Sequence, residues 1–143
     1  MDVKIVSRDE IVKLATTPFE DDVALISIYD TDDVPPRLMN KPKYTLFMAF
    51  DDIYADDTDE GDLDFFKPFN EKMAKKISGF IKLHQDDVNT FICQCQFGQS
   101  RSAGVAAAIK KYFDNDEQAI FNDKRYSPNK KVYDLLSKEL ICC

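Results

Sequence analysis

Two residues with complementary chemistry, Cys95 and Arg101, are separated by five residues at a junction between two contrasting stretches. The apolar residues 90–93 predict a buried strand, and the alanine-rich stretch 102–113 predicts a helix. In that geometry the loop amides turn inward and the helix N-terminus points into the loop, so the loop can bind an anion of phosphate size. Arg101 adds a planar guanidinium that can bind two phosphate oxygens at once.

The positive charge of Arg101 and the helix N-terminus would also activate Cys95 as a nucleophile. A thiol beside a guanidinium at a helix N-terminus ionises more readily than a free thiol, and the thiolate is the reactive form. Ser102 can donate its hydroxyl to the sulfur, both in the thiolate and when a phosphocysteine is hydrolysed. Gly98 permits a backbone conformation that a side chain would resist. The loop therefore predicts anion binding and covalent catalysis on a phosphate ester.

The spacing Cys95-x5-Arg101-Ser102 resembles the signature loop of the protein tyrosine and dual-specificity phosphatases, written His-Cys-x2-Gly-x2-Arg-Ser. Gly98 falls on the glycine of that motif. Residues 50–53, 100–108 and 127–129 are similar to segments of small bacterial and phage members, and the whole resemblance covers about residues 44–140.

The resemblance implies an enzyme that hydrolyses phosphate monoesters through a phosphocysteine intermediate, without metal or cofactor. The implied substrate is a phosphorylated protein or peptide, with tyrosine-only and dual specificity both left open. The loop residues expected to bind the phosphate are Gln96, Phe97, Gly98, Gln99, Ser100 and Arg101. Because the loop contains no lysine, a highly phosphorylated lipid or an RNA triphosphate end is less favoured.

The residue before the nucleophile departs from the motif, because Gln94 stands where the family has histidine. A glutamine can still hydrogen-bond the backbone but carries no charge, which predicts a less reactive Cys95. The alternative function is therefore a phosphate-binding interaction protein with weak catalysis, a pseudophosphatase. A redox or sulfur-transfer enzyme that uses Cys95 and Cys93 is a third, weaker hypothesis.

A leaving oxygen needs a proton, and by resemblance its donor lies on a loop after the strand that precedes the long helix. The expected acid is one of the pair Asp51 and Asp52, just after the predicted strand 44–50. Asp52 is favoured and Asp51 is the reserve, while Asp56 or Asp57 would serve if the following loop folds back. A neighbouring carboxylate would raise the pKa of one carboxyl of such a pair, which suits an acid. The alternative is that both are merely solvated.

The remaining cysteines and acids carry weaker signals. Cys93 is expected to be a small buried hydrophobe, because a disulfide with Cys95 would be strained over so short a separation. The terminal pair Cys142 and Cys143 completes no zinc-binding spacing with them. The segment 51–64 contains eight acids and no lysine or arginine, which indicates a solvated loop. A calcium loop starting at residue 56 is excluded, because its twelfth position is Lys67.

Strands and helices alternate along the rest of the chain. Strands are predicted at 3–6, 23–29, 44–50 and 90–93, and helices from Ser7, from Asn70 to His84, and at 102–113, 117–121 and 129–140. Ser7 and Glu10 form a capping-box pattern. This order predicts an α/β fold with a central, mostly parallel sheet of about four strands covered by helices on both faces.

Length and charge restrict the class of protein. With 143 residues and no linker-like tract, one domain spanning residues 1–143 is expected. The formal net charge of -7 disfavours binding to nucleic acid or to an anionic membrane. No apolar run approaches the roughly 20 residues that span a bilayer. The chain is therefore expected to be cytoplasmic, and its oligomeric state is left open.

Overall fold

The computed structural model describes residues 1–53 and 67–142. Its elements in chain order are β1 Asp2–Val6, α1 Arg8–Leu14, β2 Val23–Tyr29, β3 Tyr44–Ala49, α2 Glu71–His84, β4 Thr90–Gln94, α3 Arg101–Asp114, α4 Gln118–Phe121 and α5 Lys130–Ile141. Every predicted strand and helix is present, with ends that differ by at most one residue from the prediction.

The strands form one parallel sheet in the order β1-β4-β2-β3. β4 lies between β1 and β2 and pairs with both in parallel register. The segment that follows β4 therefore emerges between two neighbouring strands, at the carboxyl edge of the sheet, where ligands bind in open α/β sheets. The predicted α/β class with a parallel sheet is confirmed.

Helices cover both faces of this sheet, because the side chains of a strand alternate between faces. On one face, Leu25 of β2 and Ile92 of β4 pack with Ile11 of α1. On the other, Ala24 and Ile26 of β2 belong to a larger core that includes buried residues of α2, α3 and α5. The predicted burial of the central strands on both sides is confirmed.

The helix N-termini are formed as the sequence indicates, with one difference. Ser7 makes the predicted capping box with Glu10 at the start of α1. Asn70 and Asn129 cap α2 and α5 by accepting hydrogen bonds from backbone N–H groups. The N-terminus of α3, beside the Cys95 loop, receives no side-chain cap. Its first backbone N–H groups are therefore available to an anion.

α3 and α5 approach closely at Gly104. A Cβ atom there would lie 2.7 Å from the backbone oxygen of Asn129 and 3.1 Å from Cβ of Val132. The glycine thus brings the start of α5 against the first turn of α3 and so beside the Cys95 loop.

Within the described ranges, no helix is long and apolar enough to cross a membrane. His84 ends α2, as predicted, and packs against the rings of Tyr44 and Phe80.

Candidate active site

The backbone of the loop from Cys95 to Arg101 is held from outside through its carbonyl groups. The oxygen of Gln96 accepts a hydrogen bond from the N–H of Arg8 at 3.2 Å. The oxygens of Gln99 and Ser100 accept from the N–H groups of Ser127 and Asn129, at 2.8 and 3.0 Å. This supplies a structural role for the segment 127–129.

In a trans peptide unit the N–H points opposite to the C=O. Carbonyls directed at the surrounding chain therefore turn the following N–H groups, those of Phe97, Ser100 and Arg101, toward the inside of the loop. Within residues 1–53 and 67–142, no acceptor binds the N–H groups of residues 96–99. An inward N–H without a protein acceptor, as at Phe97, is what a bound oxyanion would satisfy.

Gly98 is required by this conformation. Its φ is +67°, in the left-handed region that side chains disfavour. A Cβ atom at this position would also lie 2.7 Å from the nitrogen of Ser7 and the carbonyl carbon of Val6. The loop consequently rests directly on the junction between β1 and α1.

Arg101 is almost completely buried, with 4% of its surface exposed. Its Nη1 donates to Asp30 Oδ1 at 2.7 Å and to the backbone oxygen of Phe50 at 2.8 Å. Its Nε is buried and has no hydrogen-bond partner within the described part of the chain. Nη1 therefore fixes the guanidinium, while the buried Nε stays available to a ligand. Burying a donor without an acceptor is unfavourable, and a bound oxyanion would remove that penalty.

The candidate nucleophile Cys95 is 2% exposed, and its sulfur lies 3.1 Å from Ser102 Oγ. The hydroxyl therefore lies within hydrogen-bonding distance of the sulfur, where it could donate to a thiolate. Cys93 is a free, fully buried thiol in the core, and Cys95 is free as well. Burial raises the pKa of the Cys93 thiol, and the adjacent Cys95 adds to the shift. Cys93 thus remains protonated, which disfavours a redox or sulfur-transfer role for it.

The carboxylate of Asp52 contacts the loop at the side chain of Ser100. Its Oδ1 accepts a hydrogen bond from Ser100 Oγ and another from Asn129 Nδ2, both at 2.8 Å. Asp52 itself is exposed to solvent. With Oδ1 occupied by two donors, a proton on this carboxyl would be carried by Oδ2, the oxygen left for a substrate.

Asp51 has a different environment, although it is adjacent in sequence. Its carboxylate accepts from the N–H and the hydroxyl of Thr31, at 3.0 and 2.7 Å, and from the N–H of Lys67 at 2.8 Å. Burial raises the pKa of Asp51, but these hydrogen bonds and the charge of Arg101 outweigh burial, so the net pKa is below its usual value. The shift is opposite to the one expected for an acid, and Asp51 joins three chain segments as a carboxylate.

The other predicted phosphate-binding residues present their side chains outward to different extents. Phe97 is 74% exposed, Gln99 is exposed and Gln96 is partly buried. Their backbone groups, and not their side chains, line the loop. The reserve acids Asp56 and Asp57 lie outside the described residues. In the described ranges no cluster of three or more metal-ligating side chains occurs.

Two residues that contact the site, Asp30 and Ser27, were not predicted from the sequence. Asp30, which pairs with Arg101, directly follows β2, and β2 neighbours β4 in the sheet. Because parallel strands end at one edge, its position after a buried strand was a usable signal. Ser27, which contacts Gln94, lies inside an apolar strand run and offered no comparable signal.

Comparison of the sequence with known protein families and with curated proteins finds no match. Solved structures do match. Tk-PTP in its active form superposes with a TM-score of 0.59 and 13% identity, covering 100% of this chain and 94% of that chain. Human DUSP28 gives 0.59 and 15%, covering 97% and 91%. The chain has the protein tyrosine and dual-specificity phosphatase fold.

A third phosphatase-fold structure is the human tyrosine phosphatase-like serine/threonine/tyrosine-interacting protein. It gives a TM-score of 0.54 and 16% identity, and the match covers 82% of this chain and 76% of that chain. Identities this low establish the fold that the sequence resemblance implied. The expected closeness to bacterial and phage members stays a prediction.

Proposed function

We propose that this protein is a metal-independent cysteine phosphatase that hydrolyses phosphate monoesters on protein tyrosine residues. The observation that carries the proposal is the buried Nε of Arg101 beside the inward N–H of Phe97. Among the described residues neither donor has an acceptor, and both lie in the segment from Cys95 to Arg101. A bound phosphoryl group supplies the missing acceptors.

The first chemical step follows from these positions. The thiolate of Cys95 attacks phosphorus, so that an S–P bond forms as the bond to the ester oxygen breaks. Asp52 protonates the leaving oxygen through Oδ2, while Arg101 and the loop amides stabilise the charge on the three remaining oxygens. The result is a phosphocysteine and a free hydroxyl product.

Water then hydrolyses the intermediate. Asp52, now a carboxylate, takes a proton from the attacking water, and the S–P bond breaks to release inorganic phosphate. The departing thiolate accepts a hydrogen bond from Ser102, whose Oγ already lies 3.1 Å from the sulfur. The cycle needs no metal, and each of its groups lies within the described residues.

The substrate class follows from what surrounds the loop. The loop itself has no lysine, and its one cation is Arg101. This favours a single phosphoryl group over a highly phosphorylated ligand. The exposed ring of Phe97 adds an apolar surface on the same loop, which suits an aryl phosphate in a peptide. Whether phosphoserine and phosphothreonine also react depends on pocket depth.

We propose that the protein acts in the cytoplasm.

The proposal is tested by phosphate release from an aryl phosphate with a chelator present. Cys95→Ser should abolish turnover and still bind vanadate. Cys93→Ser is a matched control, because it makes the same change in another buried thiol two residues earlier and so controls for lost stability. Turnover that survives Cys95→Ser, or is lost equally in both variants, would overturn the mechanism.

The second candidate is a phosphate-binding protein without useful turnover, and Gln94 is the observation that favours it. The fold is shared with a tyrosine phosphatase-like interacting protein as well as with phosphatases. Vanadate or phosphopeptide binding by the unmodified protein, with no phosphate release from any aryl phosphate, would establish this alternative.

A further inference from the structure

Gln94 makes two hydrogen bonds from a fully buried position at the end of β4. The hydroxyl of Ser27 donates to Gln94 Oε1, and Gln94 Nε2 donates to the backbone oxygen of Cys95 at 3.2 Å. Ser27 and Gln94 are direct partners in the β2–β4 register, and neither has any exposed surface.

The chemistry of the three groups determines the orientation of the amide. A backbone carbonyl can only accept, so the nitrogen end of Gln94 must face Cys95. That leaves Oε1 toward Ser27, and the Ser27 hydroxyl must then be the donor. A flipped amide would place Oε1 against the Cys95 oxygen, two acceptors together, so the Cys95 carbonyl selects the orientation. The Ser27 hydroxyl then holds the amide in place by donating to Oε1.

The Cys95 carbonyl belongs to the same peptide unit as the N–H of Gln96. Because the unit is planar and trans, holding the oxygen toward Gln94 turns that N–H to the opposite side. The carbonyls of Gln96, Gln99 and Ser100 are held outward by backbone donors. The first peptide of the loop is held by a side chain instead.

From this geometry we infer that Ser27 and Gln94 act as a relay of positioning residues that aims the Gln96 N–H into the phosphate loop. The inference rests on the proposed function only in requiring a phosphate site. Because both groups are uncharged, the relay contributes the same alignment across the physiological pH range, where a histidine in place of Gln94 would titrate. Ser27 would thus affect anion binding without touching the anion.

The test is a double-mutant cycle read by equilibrium binding of inorganic phosphate, so that it does not depend on turnover. Ser27→Ala should weaken phosphate binding about 3- to 10-fold, the equivalent of one hydrogen bond. Gln94→Met, which keeps the length but removes both bonds, should weaken binding about 10-fold or more. The double variant should bind no more weakly than Gln94→Met alone, because Ser27 acts through Gln94.

Ser78→Ala is the matched control, since Ser78 is another buried serine, lies on α2, and has no hydrogen bond to the loop within the described residues. It should lower thermal stability and leave the phosphate affinity unchanged. A Ser27→Ala effect that persists at full size beside Gln94→Met, or that changes only stability as Ser78→Ala does, would overturn the relay. If the unmodified protein binds no phosphate, the proposed function itself fails.

Discussion

Replacing Asp52 by asparagine keeps the size of a side chain that is hydrogen-bonded to the loop but removes its transferable proton. The structure gives Asp52 two donors, Ser100 and Asn129, both on Oδ1 at 2.8 Å. An asparagine can place its oxygen in the same position, so the loop should remain intact. The loss should therefore appear in protonation of the leaving group and not in phosphate binding.

The size of the effect depends on the leaving group. For phenyl phosphate, whose oxygen departs poorly without a proton, kcat/KM should fall by about 10² to 10³, within the range of general acid catalysis. That corresponds to about 2.7 to 4.1 kcal/mol of lost transition-state stabilisation. For nitrophenyl phosphate, whose oxygen departs as a stable anion, the loss in kcat/KM should stay below about tenfold. This ratio does not include the later hydrolysis step, in which Asp52 acts on both substrates alike.

Asp51→Asn is the control, because it makes the same change one residue earlier. Asp51 binds Thr31 and Lys67, so its loss should reduce the free energy of unfolding by about 1 to 3 kcal/mol. Activity per folded molecule should change equally for both substrates. A leaving-group-dependent loss at Asp51, with none at Asp52, would refute the assignment. If neither variant shows it, the acid lies at Asp56 or Asp57.

Three further predictions concern Gly98, Asp30 and Asp51. Gly98→Ala should reduce the free energy of unfolding by at least about 1 to 2 kcal/mol, the cost of the left-handed conformation for a side chain, and should abolish phosphate binding because the Cβ meets backbone atoms. Asp30→Asn should weaken phosphate binding about 3- to 10-fold, because Arg101 loses a charged but partly exposed partner. The stabilisation by Asp51 should depend on pH. Its folded pKa is lowered, so the contribution is present above pH about 4 and is lost as pH falls through the folded pKa.

These predictions are checked by urea unfolding and by phosphate titration. Unchanged stability of Gly98→Ala would contradict the loop geometry. Unchanged phosphate affinity in Asp30→Asn would show that Nη1 of Arg101 needs no fixed partner. For Asp51, the difference in unfolding free energy between the unmodified protein and Asp51→Asn should narrow below pH about 4, and a constant difference would contradict the linkage.

Local patterns were sufficient to predict the elements of the fold. The β-branched run of β2 and the capping box at Ser7 are encoded within a few residues, and both are present as predicted. The parallel sheet followed from the alternation of strands and helices. The spacing of Cys95 and Arg101 likewise predicts a loop between a strand and a helix, and β4 and α3 flank it.

The pairing of the supporting residues could not be predicted, because they are distant in sequence, although the position of Asp30 after a buried strand marked it as a candidate. Asp30 and Arg101 are 71 positions apart, and Asp52 and Asn129 are 77 apart. Which strands neighbour each other decides these pairs, and no local pattern encodes that order. The contrast between Asp51 and Asp52 also depends on tertiary partners, since the two residues are identical in type and adjacent.

The most direct test of the central claim is acid quenching during turnover of an aryl phosphate, followed by mass spectrometry of the peptide that contains Cys95. We predict that this peptide gains the mass of one phosphoryl group, located on the Cys95 sulfur, and that the adduct is absent from Cys95→Ser. Turnover with no phosphocysteine, or with the phosphoryl group on another residue, would contradict the account.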